Sequence, residues 1–104
     1  RILINTSRIL VDYISDIEKS VESNRWEDAS NKMQAIEKEW DKTQKTWCML
    51  IDHAEIDNVY DYISKLERLI EFKEKTFTLS EMSTLKRFLM HIPDRLAFRI
   101  ENVF

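Results

Sequence analysis

Hydrophobic residues recur along the chain at spacings of three, four and seven, the period of amphipathic helices that face a core. The first stripe predicts a helix over residues 2–22, and the polar stretch that follows ends the pattern. In that stretch, Ser23 or Asn24 is a suitable N-cap for a second helix. The hydrophobic positions of the first stripe are Leu3, Leu10, Ile14, Ile17 and Val21.

The second stripe is the most regular, because its spacings alternate between three and four. It predicts a helix over residues 25–51 with all three tryptophans on the buried face. A row of tryptophans also suits a platform for sugar rings, but that function requires at least one of them to be exposed. The stripe consists of Trp26, Ala29, Met33, Ile36, Trp40, Thr43, Trp47 and Leu50.

A change of phase near residue 52 predicts that a third helix begins there. Asp52 and Glu55 have the spacing of a capping box, in which each side chain bonds a free backbone N–H. Acidic residues in the first turns and basic residues in the last suit the dipole of a helix over residues 53–74. The alternative is one unbroken helix over residues 25–74, which implies an extended or swapped dimer. The third stripe consists of Ile56, Val59, Ile63, Leu66 and Ile70.

Thr78 and Glu81 repeat the capping spacing and predict a fourth helix over residues 78–104. Pro93 falls inside its stripe, which continues in phase afterwards, so we expect the helix to kink or restart there. The predicted fold is all-α: an antiparallel up-down-up-down four-helix bundle, with residues 1–104 as a single domain. The fourth stripe consists of Met82, Leu85, Leu89, Ile92, Leu96, Ile100 and Val103.

Composition narrows the classes of function. The chain has no glycine and one proline, which disfavours tight β-hairpins, dinucleotide folds and phosphate-binding loops. Its net charge is −3 without a basic face, so nucleic acid is not an expected partner. No nucleophile with a base and an oxyanion-binding loop is recognisable, so we assign no catalytic residue and no cofactor. We expect the single cysteine, Cys48, to be packed in the core.

His53 and Asp57 lie one helical turn apart and are the best candidates for metal chemistry, with His91 as a third ligand. However, a hairpin that turns near residue 76 places His91 opposite about residue 61, about 12 Å from His53. The two histidines therefore cannot share an ion within one chain. A histidine that hydrogen-bonds at a helix end is the simpler interpretation.

A family resemblance enters with the run Leu50-Ile51-Asp52-His53-Ala54-Glu55-Ile56-Asp57. Together with Trp40, Trp47, the later His91-Ile92-Pro93 and the closing Glu101-Asn102-Val103-Phe104, this run resembles domain-of-unknown-function family 4363. The resemblance covers the chain from about residue 25 to the end. It implies a short protein of spore-forming Gram-positive bacteria, with one N-terminal membrane helix and a helical domain outside the cell. It brings no activity, cofactor or catalytic residue.

The anchor that this resemblance implies is not among residues 1–104. No run reaches the ~18 apolar residues that cross a bilayer. Since the chain begins at Arg1, we expect a trimmed or processed form that an anchor or signal precedes. The leading hypothesis is a single-pass, membrane-anchored extracytoplasmic module that binds an unidentified protein partner or itself. The alternative is a metal-binding or hydrolytic domain that uses His53, Asp57 and nearby carboxylates.

The predicted connectivity also suggests a binding surface. In an up-down-up-down bundle, the end of helix 2, the start of helix 3 and the end of helix 4 meet beside the N-terminus. We expect a cluster there that would face the membrane below an anchor. The simpler alternative is that its residues only tie helix termini together. The candidate binding residues are Asp52, His53, Glu55, Asp57 and Asn102, with Glu101 beside them.

Overall fold

The structure, a computed structural model, describes the backbone of residues 2–49 and 51–103 and the side chains of residues 7–49 and 51–92. Over these residues it contains helices and no strand, which confirms the predicted all-α class. The four helices are α1 (Ile2–Glu22), α2 (Trp26–Trp47), α3 (His53–Glu71) and α4 (Lys75–Val103).

Each helix packs on two neighbours, so the four helices form a closed ring. Both α1 and α3 pack on α2 and on α4, while the diagonal pairs have no close backbone contact in the described part. The Lys75 ammonium donates to the Glu22 carbonyl oxygen at 2.9 Å and to Asn24 Oδ1 at 3.3 Å. The α1–α2 and α3–α4 turns therefore lie side by side at one end, as an up-down-up-down bundle requires. The molecule measures 49 × 22 × 20 Å.

The core is built from the predicted stripes, which confirms the helical patterning. Trp40 and Trp47 are fully buried, and their rings meet edge to face with 5.3 Å between centroids. Trp26 is only partly buried, because it is the first residue of α2 and lies at the end of the bundle. The prediction of three buried tryptophans is thus wrong for Trp26. Leu3, Leu50, Leu96, Ile100 and Val103 have side chains outside the described residues.

Two turns without glycine determine where the helices end. At the end of α1, Asn24 has φ 59°, its N–H bonds the Val21 carbonyl at 3.0 Å, and the Arg25 N–H bonds the Ser20 carbonyl at 2.8 Å. Lys73, with φ 56°, closes α3 by the same pattern. This is the Schellman arrangement, which uses a left-handed residue to satisfy the last carbonyls. Ser23 and Asn24 were predicted as N-caps for α2; instead Asn24 terminates α1, and Arg25 is the N-cap.

The same turn corrects the predicted bounds of α3 and α4. Because the left-handed turn at Lys73 intervenes, α3 ends at Glu71 rather than 74, and α4 begins at Lys75 rather than 78. Thr78 consequently does not cap α4: it is buried inside the helix, and its hydroxyl donates to the Glu74 carbonyl at 2.6 Å. The helical backbone of α4 continues through Pro93 without a restart, since proline fixes φ near the helical value and removes one hydrogen bond.

Candidate functional site

The predicted interruption between α2 and α3 is present, and it forms what we call the break end, residues 48–57. The structure excludes one unbroken helix, because α2 ends at Trp47 and α3 begins at His53. α2 stops before the predicted residue 51, since the N–H groups of Cys48 and Met49 bond the carbonyls of Gln44 and Thr46 in a terminal turn. The connection then returns to the core at Ile51, which is 8 % exposed.

Asp52 is the N-cap of α3 by position, but it does not cap in the predicted way. Its side chain forms no capping hydrogen bond. Instead, its backbone carbonyl accepts from the N–H groups of Glu55 at 3.1 Å and Ile56 at 3.3 Å. The predicted bond from the Asp52 side chain to Ala54 or Glu55 is therefore wrong. An extended backbone (φ −67°, ψ 146°) starts the helix without help from the carboxylate.

The structure brings four of the five candidate binding residues to the break end. The side chains of Asp52, His53 and Asp57 are exposed, whereas Glu55 is buried. Asn102 and Glu101 lie in the last turn of α4, and their side chains fall outside the described residues, so the cluster with the N-terminus stays a prediction. Two neighbours were not predicted. Met49 is 85 % exposed, and Cys48, which was expected in the core, is exposed because α2 ends just before it.

The described residues show no group of three or more His, Cys, Asp or Glu side chains placed to hold a metal ion. His53 and His91 are both exposed, on different helices. Lys65 of α3 pairs with Glu81 of α4 at 3.7 Å, and Tyr62 packs on Phe88. His91 therefore lies opposite the early turns of α3.

The opposite end of the bundle, which we call the turn end, consists of residues 22–31 and 71–77. Phe72 and Phe77 flank the α3–α4 turn and are 63 % and 62 % exposed. The Arg68 guanidinium lies 5.3 Å from the centre of the Phe72 ring. The sequence analysis did not predict this surface, because neither phenylalanine belongs to a helical stripe. The position of the α3–α4 turn, which both residues flank, was not evident from the apolar pattern.

A surface groove also opens at the turn end, beside the two adjacent turns. Trp26, the one partly buried tryptophan, forms part of its wall, together with amide and charged side chains. The residues that line the groove are Asn24, Arg25, Trp26, Glu27, Asp28, Asn31 and Lys73.

A polar network joins α1 to α2 next to this groove. The buried Ser20 hydroxyl donates to Asp28 at 2.6 Å, and Lys32 contacts Ser20 at 3.0 Å, Asp28 at 3.0 Å and Asp16 at 3.1 Å. The Ser20 hydrogen bond, followed by that of Lys32, holds the pKa of Asp28 below its usual value. Asp28 and Asp16 in turn raise the pKa of Lys32. The network holds both charges in place, which is a structural role.

Comparison with known families assigns the chain. The model of the family described as Domain of unknown function (DUF4363) matches residues 1–103. The chain belongs to this family. The DUF4363 match includes α1, which the resemblance in sequence had left out. No curated protein and no solved structure matches the chain significantly. No helix in the described part of this DUF4363 domain is long and apolar enough to cross a membrane.

Proposed function

We propose that this DUF4363 domain is a membrane-anchored, extracytoplasmic module that acts by binding another protein or a second copy of itself. The observation that carries the proposal is the pair of phenylalanines at the turn end. Soluble domains bury most of their large aromatic side chains, so two that are more than half exposed on one turn are typical of a contact surface. Below an anchor that precedes Arg1, the turn end points away from the membrane.

The break end is a second contact surface in this proposal, on the membrane side. The exposed Met49 lies there beside the exposed side chains of His53 and Asp57. An apolar side chain rimmed by polar ones resembles the composition of a protein interface. Asp52 and Asn102 complete the surface as the sequence proposes it, whereas the fifth predicted residue, Glu55, is buried.

In-cell crosslinking of the anchored full-length protein tests the binding function and separates the two surfaces. We expect the double variant Phe72→Ser, Phe77→Ser to lose its crosslinked partner and the His53→Ala variant to weaken it. Met90→Ser is the matched control, since Met90 is 59 % exposed on α4 and belongs to neither surface. A partner that all variants retain, or no partner and no self-association of the wild type at any concentration, contradicts the proposal.

The exposed Cys48 offers a direct test of location. A membrane-impermeant maleimide added to intact protoplasts should label the anchored wild-type protein but not the Cys48→Ser variant. Labelling that requires permeabilised cells contradicts the extracytoplasmic placement.

Metal analysis of the purified protein and of His53→Ala tests the alternative of a metal-binding or hydrolytic domain. A stoichiometric metal that is lost with His53 would favour that alternative.

A second candidate function is binding of wall sugars at the turn-end groove. The observation that favours it is the partly exposed Trp26 beside Asn24 and Asn31, because sugar rings stack on aromatic faces and bond to amides. Titration with soluble wall glycan fragments should change the tryptophan fluorescence of the wild type. In a Trp26→Phe variant the change should be much smaller. An unchanged wild-type spectrum removes this candidate.

A further inference from the structure

The surface groove at the turn end is built by both turns of the bundle. Asn24, Arg25 and Trp26 reach it from the α1–α2 turn and the start of α2, and Lys73 reaches it from the α3–α4 turn. Its volume is about 590 Å³, within the roughly 300–1,000 Å³ that is usual for small-molecule sites. The groove therefore has room for an organic ligand rather than for a single ion.

Asp28, one of the acidic residues that line the groove, is already engaged within the protein. Its carboxylate accepts from the Ser20 hydroxyl at 2.6 Å and pairs with the Lys32 ammonium at 3.0 Å. The Arg25 guanidinium lies farther away, at 3.5 Å, and the side chains of this pair are 55 % and 41 % exposed. An exposed pair of this kind is weak, so Arg25 can exchange Asp28 for the acid group of a ligand at little cost.

Hydrogen-bond donors remain available on the side of the groove that the two turns form. Within the described part of the chain, Lys73 has no ion pair and no side-chain hydrogen bond, so its ammonium can bind a ligand. The side-chain oxygen of Asn24 accepts from Lys75 at 3.3 Å, which leaves the amide NH2 group as a donor. Together with Arg25, these donors outnumber the carboxylate of Glu27, which lines the same groove.

Both described residues with a left-handed backbone line this groove. Asn24 has φ 59° and Lys73 has φ 56°. Glycine adopts this backbone at a lower cost, so a lysine at position 73 makes the fold less stable than it could be. Costly backbone conformations cluster at ligand-binding sites, where the side chain that they present is used. The fold gives the Lys73 side chain no task, whereas a ligand in the groove would.

We infer that the groove binds an acidic saccharide, with a sugar ring against Trp26 and the carboxylate of the sugar between Arg25 and Lys73. The inference rests on the sugar-binding candidate of the proposed function and adds the class of sugar. Trp26 is only partly buried, so its ring can pack on a sugar, and the amides of Asn24 and Asn31 suit its hydroxyl and acetamido groups. A carboxylate accepts charge-assisted hydrogen bonds from both cations, which are stronger than neutral ones.

The wall disaccharide of N-acetylglucosamine and N-acetylmuramic acid tests the inference, because its lactyl carboxyl group can be converted to a neutral methyl ester. Nuclear magnetic resonance titration of the Trp26 indole N–H gives both the affinity and the location of the ligand. We expect the free acid to bind about fivefold more tightly than the ester. This preference should shrink at high salt, which screens exposed charges.

The possible failures of this titration are distinct. Equal affinities for the acid and the ester would keep the sugar-binding candidate and overturn the inference. No binding of either compound would remove the candidate and the inference together. Binding that leaves the Trp26 signal unchanged would place the sugar elsewhere on the molecule and would also overturn the inference.

Lys73→Gly separates recognition from folding. Glycine relieves the left-handed backbone, so the variant should be at least as stable as the wild type and yet lose most of its preference for the acid. Arg25→Gln should also reduce the preference, while Lys73→Arg should keep it because the charge is retained. Lys42→Gln is the matched control, since Lys42 is a 78 % exposed lysine of α2 outside the groove. A folded Lys73→Gly that still prefers the acid about fivefold would overturn the assignment.

Discussion

Trp40 stabilises the core through its apolar area, although its indole carries a polar N–H group. Its side chain is 1 % exposed, and its ring meets that of Trp47. Among the described residues, the indole N–H has no hydrogen-bond partner. A buried donor without a partner costs stability, so the net contribution of Trp40 comes from its area and its ring contact.

We expect Trp40→Ala to lower the free energy of unfolding by about 3–5 kcal/mol, the usual range for a buried aromatic side chain. The measurement is denaturant unfolding followed by far-ultraviolet circular dichroism, which does not depend on tryptophan fluorescence. Trp26→Ala is the control. Its loss should be clearly smaller, because Trp26 is only partly buried. Equal losses would show that the two tryptophans are equally packed, contrary to the structure.

The Ser20 hydroxyl lowers the pKa of the neighbouring Asp28 carboxyl group. Since its hydroxyl is the main cause of the low pKa of Asp28, Ser20→Ala should raise that pKa toward 3.8. A carboxylate with a lowered pKa stabilises the fold at pH values above its ordinary pKa, and this stability is lost as pH falls through the lowered value. Ser20→Ala should therefore be less stable than the wild type above about pH 4, and the difference should shrink as pH falls further, because the wild type then loses this stabilisation. Ser30→Ala, at an exposed position of α2, should show no such pH-dependent difference. Nuclear magnetic resonance titration of Asp28 checks the cause.

At the scale of the elements, glycine substitutions in the two turns at the turn end should stabilise the fold. Lys73 adopts a left-handed backbone that costs a residue with a Cβ atom about 1 kcal/mol relative to glycine. We expect Lys73→Gly to raise the free energy of unfolding by up to that amount. Lys73→Ala removes the same side chain but keeps Cβ and should gain nothing. Asn24→Gly should gain less than Lys73→Gly, because asparagine tolerates this conformation better.

These turns show what sequence patterning predicts and what it misses. The buried stripes of all four helices follow from the spacing of apolar residues, because a helix must turn one side to the core. The helix ends do not follow, since the usual signal for a left-handed turn is glycine and the chain uses Asn24 and Lys73 instead. Capping spacings at Asp52 and Thr78 misled for a related reason. At Asp52 the backbone carbonyl, not the side chain, accepts the first helical N–H bonds. Thr78 lies inside α4, so its hydroxyl bonds the Glu74 carbonyl and caps nothing.

The candidate surfaces were predictable only in part. The exposure of Asp52, His53 and Asp57 follows from their polarity and from a break in the apolar phase. Glu55 is buried because it lies next to Ile56 on the side of α3 that turns toward the core, which charge alone does not reveal.

For the whole molecule, the contact between the first and the last helix closes the ring. The Lys86 ammonium of α4 pairs with the Glu18 carboxylate of α1, and both side chains are mostly shielded, at 26 % and 15 % exposure. We expect a double-mutant cycle with Glu18→Gln and Lys86→Met to give a coupling free energy of about 0.5–1 kcal/mol. The weaker coupling expected of the longer Lys42–Glu39 pair, at 3.7 Å with a 78 % exposed lysine, serves as the reference. Zero coupling for Glu18 and Lys86 would mean that packing alone holds α1 against α4.

The closed ring also determines which parts of the native bundle open first. Three of its four helix–helix contacts join helices that a short turn connects. The fourth contact, between α1 and α4, joins residues that are 68 positions apart in the sequence. When the α1–α4 contact opens, a long stretch of chain regains conformational entropy. In contrast, α2 and α3 are each connected to a neighbouring helix at both ends. Native-state hydrogen exchange should therefore find the lowest opening free energies in α1 and α4, with α2 and α3 forming the slowest-exchanging unit. α1 and α4 then open together, while the hairpin of α2 and α3 persists.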